Sequence, residues 1–212
     1  MRIIKLTDEE QDRALAELLK RSPVNYTEYE KTVGDIISDV RMNGDSALLR
    51  LEKKFDKCEL DAGSIRVNDE EIAEAYKELD PAFLDVINKA SENIRSYHSK
   101  QVQQSWITTS PDGVILGQKI TPIAISGCYV PGGRAVYPSS VLMNVIPAKD
   151  AGVERIIVCK PPNAQGKAPA GTIVAADIAG ADEIYKVGGA QAMAAMAFGT
   201  ESIPRVDKIT GP

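Results

Sequence analysis

The chain has 212 residues, of which 43% are hydrophobic, so it is large enough for one large domain or two small ones with a real core. Its 25 basic and 30 acidic residues leave a formal net charge of −5, which argues against the extended basic surface that nucleic acid needs. No uninterrupted apolar stretch approaches the roughly 20 residues of a membrane span, and the acidic N-terminus is unlike a signal peptide. We therefore expect a cytoplasmic globular protein without a nucleic-acid or membrane partner.

The first 105 residues show helical periodicity with several start signals. Three capping boxes, in which the cap precedes a glutamate by three positions, are Thr7 with Glu10, Thr27 with Glu30 and Asn68 with Glu71. Asp80-Pro81 predicts a fourth start. Gly44 predicts the end of the second helix, with Asp45 capping a short third helix whose apolar residues are Leu48, Leu51 and Phe55. The charges on these helices are interpreted as solvated surface.

The cysteines and the single histidine suggest packing rather than chemistry. The three cysteines, Cys58, Cys128 and Cys159, are far apart and lack C-x-x-C spacing, so they are interpreted as buried thiols. His98 falls on a helical stripe with Leu84, Ile87, Ser91 and Ile94, which predicts a position at the edge of the core rather than a metal ligand.

A β-hairpin is predicted in the middle of the chain. Residues 106–109 and 114–120 flank Ser110-Pro111-Asp112-Gly113, which suits a reversal between two strands. The hairpin divides a helical half from a half in which strands and helices alternate.

Four short strands are predicted in the second half, at 123–126, 155–159, 183–187 and 208–210. A helical segment separates each pair, and Gly152, Gly180 and Gly199 follow the helices where a left-handed residue would end them. Because Pro147 removes an amide inside the run 139–151, we expect that helix to break near Ile146. The alternation predicts parallel strands with right-handed crossovers.

The predicted fold class is therefore α/β. It consists of a helical N-terminal region with a β-hairpin, followed by an incomplete Rossmann-like parallel sheet with helices on both faces. We divide the chain into an N-terminal helical arm (1–25), a mainly helical region that ends in the hairpin (26–120) and a Rossmann-like nucleotide-binding region (121–212).

The segment Gly127-Cys128-Tyr129-Val130-Pro131-Gly132-Gly133 lies between a strand-like run and a helical run. Paired glycines let a backbone approach a ligand closely, and the first amides of the following helix favour an anion. However, the fingerprint G-x-G-x-x-G is not present, and the second strand ends in Lys160-Pro161-Pro162, without an acid for a ribose. Two interpretations remain: a phosphate-binding turn, or a tight turn without a ligand.

A second diglycine turn, Val187-Gly188-Gly189-Ala190-Gln191, also joins a strand to a helix. In sheets of this kind ligands bind outside the carboxyl ends of the strands, so both turns should lie at the same edge. Gln191 falls in the first turn of an otherwise apolar helix. It is interpreted either as a hydrogen-bonding group for a ligand or as a glutamine that caps its own helix or faces water.

Several segments resemble the L-histidinol dehydrogenases of histidine biosynthesis. The most specific are the Tyr129–Gly133 turn and the long block that begins at Val187. The matching segments are Val40–Leu48, Lys54–Asp56, Asn93–Gln101, Leu116–Gln118, Tyr129–Gly133, Val187–Ala192, Ala197–Pro204 and Val206–Pro212.

The resemblance implies an NAD-dependent, zinc-containing oxidoreductase, a homodimer that oxidises L-histidinol through an aldehyde to L-histidine. In the family, the tyrosine of the Tyr-Val-Pro-Gly-Gly turn and the glutamine of Gly-Gly-Ala-Gln contact NAD, which maps onto Tyr129 and Gln191. With these two residues we assign the rest of both turns to the cofactor site, namely Pro131, Gly132, Gly133, Gly188 and Gly189.

The resemblance places the zinc ligands and the catalytic Glu-His pair beyond Pro212, so we assign no catalytic and no metal-binding residue in this chain. The sequence stops about halfway through the family pattern, and no helix follows the strand 208–210. We therefore expect an open apolar face and a chain that is inactive alone. A non-catalytic nucleotide-binding or assembly module of the same fold is the alternative, and another NAD-linked dehydrogenase is a more remote one.

Overall fold

A computed structural model describes Ala16 and residues 27–132 and 136–212. The chain divides into a unit of residues 1–35 and a unit of residues 36–212. The expected helical arm 1–25, with its Thr7–Glu10 box, lies outside the described residues apart from the helical Ala16, as do the side chain of Thr27 and the whole of Gly133. The three-part division of the chain stays a prediction.

Helix α1 (Thr27–Phe55) is interrupted at Gly44, whose φ of 53° and ψ of −133° are not helical. This confirms the predicted stop, since a side chain is disfavoured at that φ. We expected Asp45 to cap the helical segment that follows Gly44, but it does not. Its carboxylate accepts from the Ser202 amide and hydroxyl, and its own amide donates to Glu201 Oε2 at 2.8 Å. The restart of the helix is therefore stabilised by a distant carboxylate instead of a local cap.

The next two helices begin at the predicted residues. Helix α2 (Asp69–Glu78) has the complete Asn68–Glu71 capping box, and helix α3 (Pro81–His98) begins with Asp80 as cap and proline in its first turn. A short 3₁₀ helix (Ser99–Gln101) follows α3. Strands β1 (Trp106–Thr109) and β2 (Ile115–Gln118) then form the predicted antiparallel hairpin.

The second half is a four-stranded parallel sheet in the order β5-β4-β3-β6. Its elements in chain order are β3 (Ile125–Tyr129), α4 (Pro138–Asp150), β4 (Arg155–Cys159), α5 (Ala170–Ala179), β5 (Glu183–Tyr185), α6 (Gly189–Phe198) and β6 (Lys208–Thr210). Because β6 returns to the far side of β3, the strand order reverses beside β3. The predicted α/β class with a parallel sheet is confirmed.

Helices cover both faces of this sheet. Alternate residues of β4 point to opposite faces, so Ile156 and Val158 join the core under α4 and α5, whereas Ile157 and Cys159 join the core under α1 and α6. Helices α2 and α3 pack on the α4–α5 side. All three cysteines are buried, as predicted.

Three local predictions are corrected. Strand β3 begins at Ile125 and continues through Tyr129, so Gly127 and Cys128 belong to the strand and not to the turn. Helix α4 runs through Pro147 without a break, because proline costs a single helical bond and the Ala151 amide still donates to the Pro147 carbonyl at 3.0 Å. Gly199 ends α6 with φ 79° but ψ 152°, which is not the expected left-handed helical conformation.

Candidate nucleotide site

The two diglycine turns meet at the carboxyl edge of the parallel sheet. The Gly189 amide, at the start of α6, donates to the hydroxyl of Tyr129, the last residue of β3, at 3.2 Å. Pro161 lies between the turns: a Cβ at Gly132 would be 2.8 Å from its Cγ, and a Cβ at Gly188 would be 2.4 Å from the same atom. Glycine is therefore required at both positions by close packing against one proline.

Gln191 is buried behind the second turn and is bonded to a carboxyl group from α1. Its Nε2 donates to Glu52 Oε1 at 2.9 Å, and the same oxygen accepts from the Gly188 amide at 3.2 Å. Neither Gln191 nor Glu52 is more than 2% exposed. One interpretation of the sequence was that Gln191 faces water. Its burial shows that this interpretation is wrong.

The environment of Glu52 favours its neutral form. Removal from water raises the pKa of its carboxyl to about 8, and the nearby charge of Asp56 acts in the same direction, whereas the bonds from Gln191 and Gly188 oppose the shift. Oε2 has no hydrogen-bond partner among the residues that the structure describes. At neutral pH the site therefore holds a buried carboxylic acid that serves as an acceptor through Oε1.

A cavity of about 340 Å³ opens beside the first turn. This volume is at the lower end of the range for small-molecule sites, roughly 300–1,000 Å³. Asp56, the residue after α1, brings a carboxylate to the cavity although β4 ends without an acid. The lining residues are Asp56, Tyr129, Gly132, Val136, Lys160, Pro161, Pro162, Asn163 and Pro169.

Lys160 and Tyr129 supply polar groups to this cavity. The Lys160 ammonium donates to the Pro131 carbonyl and so fixes the first turn, and burial lowers the pKa of Lys160. Burial raises the pKa of Tyr129, so its hydroxyl stays protonated. Since that hydroxyl accepts from Gly189, its hydrogen remains available for another acceptor.

The amides of the second turn are already engaged within the chain. Gly188 donates to Glu52 and Gly189 donates to Tyr129, so neither amide is free to bind a phosphate in this arrangement. The geometry thus favours binding through the side chains at the rim over an anion cradled on these two amides.

The structure places the other candidate groups elsewhere. His98 is half-buried at the end of α3, as predicted, and lines a larger cavity of about 610 Å³ beside β6 that contains neither Tyr129 nor Gln191. Within 27–132 and 136–212, no three His, Cys, Asp or Glu residues are grouped closely enough to hold a metal ion. Over the same residues, no helix has the length and apolarity to cross a bilayer.

Glu52 and Asp56 are the site residues that sequence reasoning missed. The available signal was the position of Glu52, four residues after Leu48 and directly after Leu51, which places it on the apolar side of α1. The sequence had instead predicted Phe55 on the apolar side of α1. That prediction is wrong, because Phe55 is 45% exposed.

Known proteins resemble this chain over most of its length. The histidinol dehydrogenase family model matches residues 19–212. Histidinol dehydrogenases of Geobacillus kaustophilus and Methanothermobacter thermautotrophicus are 54% and 50% identical to it, over 92% and 94% of this chain and 46% of each relative. The crystal structure of histidinol dehydrogenase from Elizabethkingia anophelis superposes with a TM-score of 0.83 at 36% identity, covering 90% of this chain and 43% of that one.

The chain spans about half the length of the curated relatives that it matches. The similarity includes the parallel sheet and both diglycine turns, since the family model extends from residue 19 to residue 212. These matches agree with the resemblance seen in the turn sequences, and the chain belongs to the histidinol dehydrogenase family.

Proposed function

We propose that this chain is the N-terminal part of an NAD-dependent, zinc-containing L-histidinol dehydrogenase and supplies its nucleotide-binding region. The complete enzyme would oxidise L-histidinol through the aldehyde to L-histidine in the cytoplasm, as a homodimer. The observation that carries the proposal is the meeting of the two diglycine turns at the carboxyl edge of the sheet, the first of them directly after β3, beside which the strand order reverses, because ligands of open α/β sheets bind at that edge.

The residues at the rim fit a nucleotide. Tyr129 offers an aromatic ring and a hydroxyl hydrogen, and the carboxylate of Asp56 suits the hydroxyls of a ribose. Gln191 keeps its amide nitrogen on Glu52, and its amide oxygen, beside Gly189 at the second turn, would be the atom that meets the cofactor. Pro131 and Gly132 would form the opposite wall, and Gly133, outside the described residues, stays assigned to the site by the resemblance. NAD bound here would accept a hydride from the substrate.

The described residues do not fit zinc, since they contain no suitable group of ligands. We infer that the metal ligands and the acid–base residues lie beyond Pro212, and we assign no catalytic role to any residue of this chain.

Calorimetry with NAD tests the nucleotide site. We expect weak binding to the parent chain, because the proposed contact set is incomplete. Tyr129→Ala and Gln191→Ala should each weaken binding by about tenfold or more, the equivalent of one lost hydrogen-bonding contact. Glu92→Gln, an exposed change on α3, is the matched control and should leave the titration unchanged. Unchanged titrations for both site variants would exclude Tyr129 and Gln191 from the site.

A turnover assay separates the proposal from a non-catalytic nucleotide-binding or assembly module. Neither the chain alone nor a module should produce NADH from L-histidinol, NAD and zinc. Addition of the remaining half of a relative, expressed separately, should restore NADH formation if the chain is part of the enzyme. NADH production by the chain alone would show that the catalytic residues lie within it.

A further inference from the structure

We propose that Glu52 is a positioning residue of the nucleotide site, which fixes the orientation of the Gln191 side chain and the start of α6. This inference extends the proposed function, because Gln191 is a cofactor contact there. It rests on a buried contact between two helices on the same face of the sheet: Glu52 belongs to α1, whereas Gln191 belongs to α6.

The bond geometry determines which end of the amide faces Glu52. The Gly188 amide can only donate, so Glu52 Oε1, which it contacts at 3.2 Å, must be an acceptor. The Gln191 atom at 2.9 Å from the same oxygen is Nε2, which donates to it. With the acid proton on Oε2, a flipped amide would place two acceptors against each other.

The oxygen of the Gln191 amide lies beside the second turn. It lies on the side of Gly189 where a side chain would begin, 2.7 Å from the position of a Cβ on that residue. Gly189 has φ 59°, so both its conformation and this contact require glycine. The amide nitrogen of Gln191 is thus bonded to Glu52, which leaves the amide oxygen beside Gly189 at the second turn.

The charges around Glu52 support a neutral acceptor. Removal from water and the carboxylate of Asp56 both disfavour a second negative charge in this layer. The titratable groups that act on Glu52, or on which it acts, come from two strands, β3 and β4, and from the segment after α1. They are Asp56, Cys58, Tyr129 and Cys159.

Nuclear magnetic resonance of the full chain tests the positioning directly. The side-chain amide of Gln191 is assigned by its loss in Gln191→Met. In the parent its two protons should be dispersed from the exposed glutamine signals and should shift with an apparent pKa near 8. Glu52→Met should return them to the exposed position, and Glu52→Gln, which keeps the acceptor, should restore the dispersion and abolish the titration. Dispersed signals in Glu52→Met would overturn the inference.

NAD binding tests the consequence for the site. Glu52→Met should weaken binding by about tenfold, Glu52→Gln should recover most of the loss, and Glu52→Met with Gln191→Met should bind no more weakly than Gln191→Met alone. Additive losses in the double variant would contradict positioning through Gln191. If the parent binds no NAD while the resonance results hold, the proposed nucleotide function fails and the fixing of Gln191 by Glu52 stands. Circular dichroism of each variant checks that the fold is retained.

Discussion

The two faces of the parallel sheet are built differently. Under α4 and α5 the core is mainly aliphatic, and the helices on that face add only the buried hydroxyls of Ser91 and Thr172 among the described residues. Under α1 and α6 the core contains the buried Glu52 and Gln191. Buried polar groups cost free energy unless they are paired, so an aliphatic core would be the more stable choice on both faces. The polar face is the one directly behind the second diglycine turn, which indicates that the proposed site, and not stability, shapes it.

The largest expected effect comes from the aliphatic face. Leu142→Ala on α4 should lower the free energy of unfolding by about 2–5 kcal/mol, because a side chain with 1% exposure is removed and a cavity remains. Its neighbour Met143, which is 53% exposed, is the control, and Met143→Ala should cost less than about 1 kcal/mol. Urea unfolding measures both. Equal losses would mean that α4 does not pack as described.

On the polar face, stability should depend on pH through Glu52. The pKa of its carboxyl is raised from 4.5 to about 8, so in this interval the folded chain retains a proton that the unfolded chain has released. The stabilisation is therefore fully present below about pH 4.5 and is lost as the pH rises through about 8, by at most about 1.4 kcal/mol per pH unit.

Urea unfolding between about pH 5 and 9 measures this loss. Glu52→Gln cannot ionise and should flatten the profile, whereas Glu92→Gln should preserve it. Parallel profiles for the parent and Glu52→Gln would show that Glu52 is ionised throughout, and the contrast between the faces would then be one of composition only.

At the carboxyl edge of the sheet, Gly188→Ala should lower the free energy of unfolding by about 1–3 kcal/mol, because the new Cβ would overlap Pro161. The backbone angles at Gly188 suit alanine, so the cost is purely steric. The control is Gly34→Ala in α1, where a Cβ meets no described atom within 4 Å. It should stabilise the chain by roughly 0.5–1 kcal/mol. Thermal unfolding compares them, and a stable Gly188→Ala chain would place Pro161 away from the turn.

The smallest expected effect is that of Tyr129→Phe, which removes the acceptor of the Gly189 amide. The free energy of unfolding should fall by about 0.5–1.5 kcal/mol, the usual net contribution of one hydrogen bond. Amide hydrogen exchange at Gly189 should accelerate, while exchange within α5 on the opposite face should not change. An unaltered Gly189 rate would mean that the two turns are joined by packing alone.

The sequence predicted most elements whose signals are local. The Asn68–Glu71 box, the Asp80-Pro81 start and the hairpin reversal depend on neighbouring residues, and all three are present. The parallel sheet was predicted because alternating strands and helices allow few topologies. The meeting of the turns with Tyr129 and Gln191 follows from that topology.

The errors concern residues whose environment is set by distant parts of the chain. Glu52 was interpreted as solvated because a charge on a helix usually is, and only α6 provides the two donors that let it be buried. Asp45 was expected to cap its own helix, but its carboxylate accepts from the amide and the hydroxyl of the distant Ser202 instead. Gly127 was assigned to a turn, whereas Met196 and Val206 pack where its side chain would be and make glycine suitable for a strand.

Pro161 packs against both diglycine turns and so connects them. Its ring occupies the space beside Gly132 on one side and Gly188 on the other, so neither loop can move inward unless the proline moves as well. Since Pro161 also lines the cavity, its ring sets the distance between the two loops that a bound molecule would encounter.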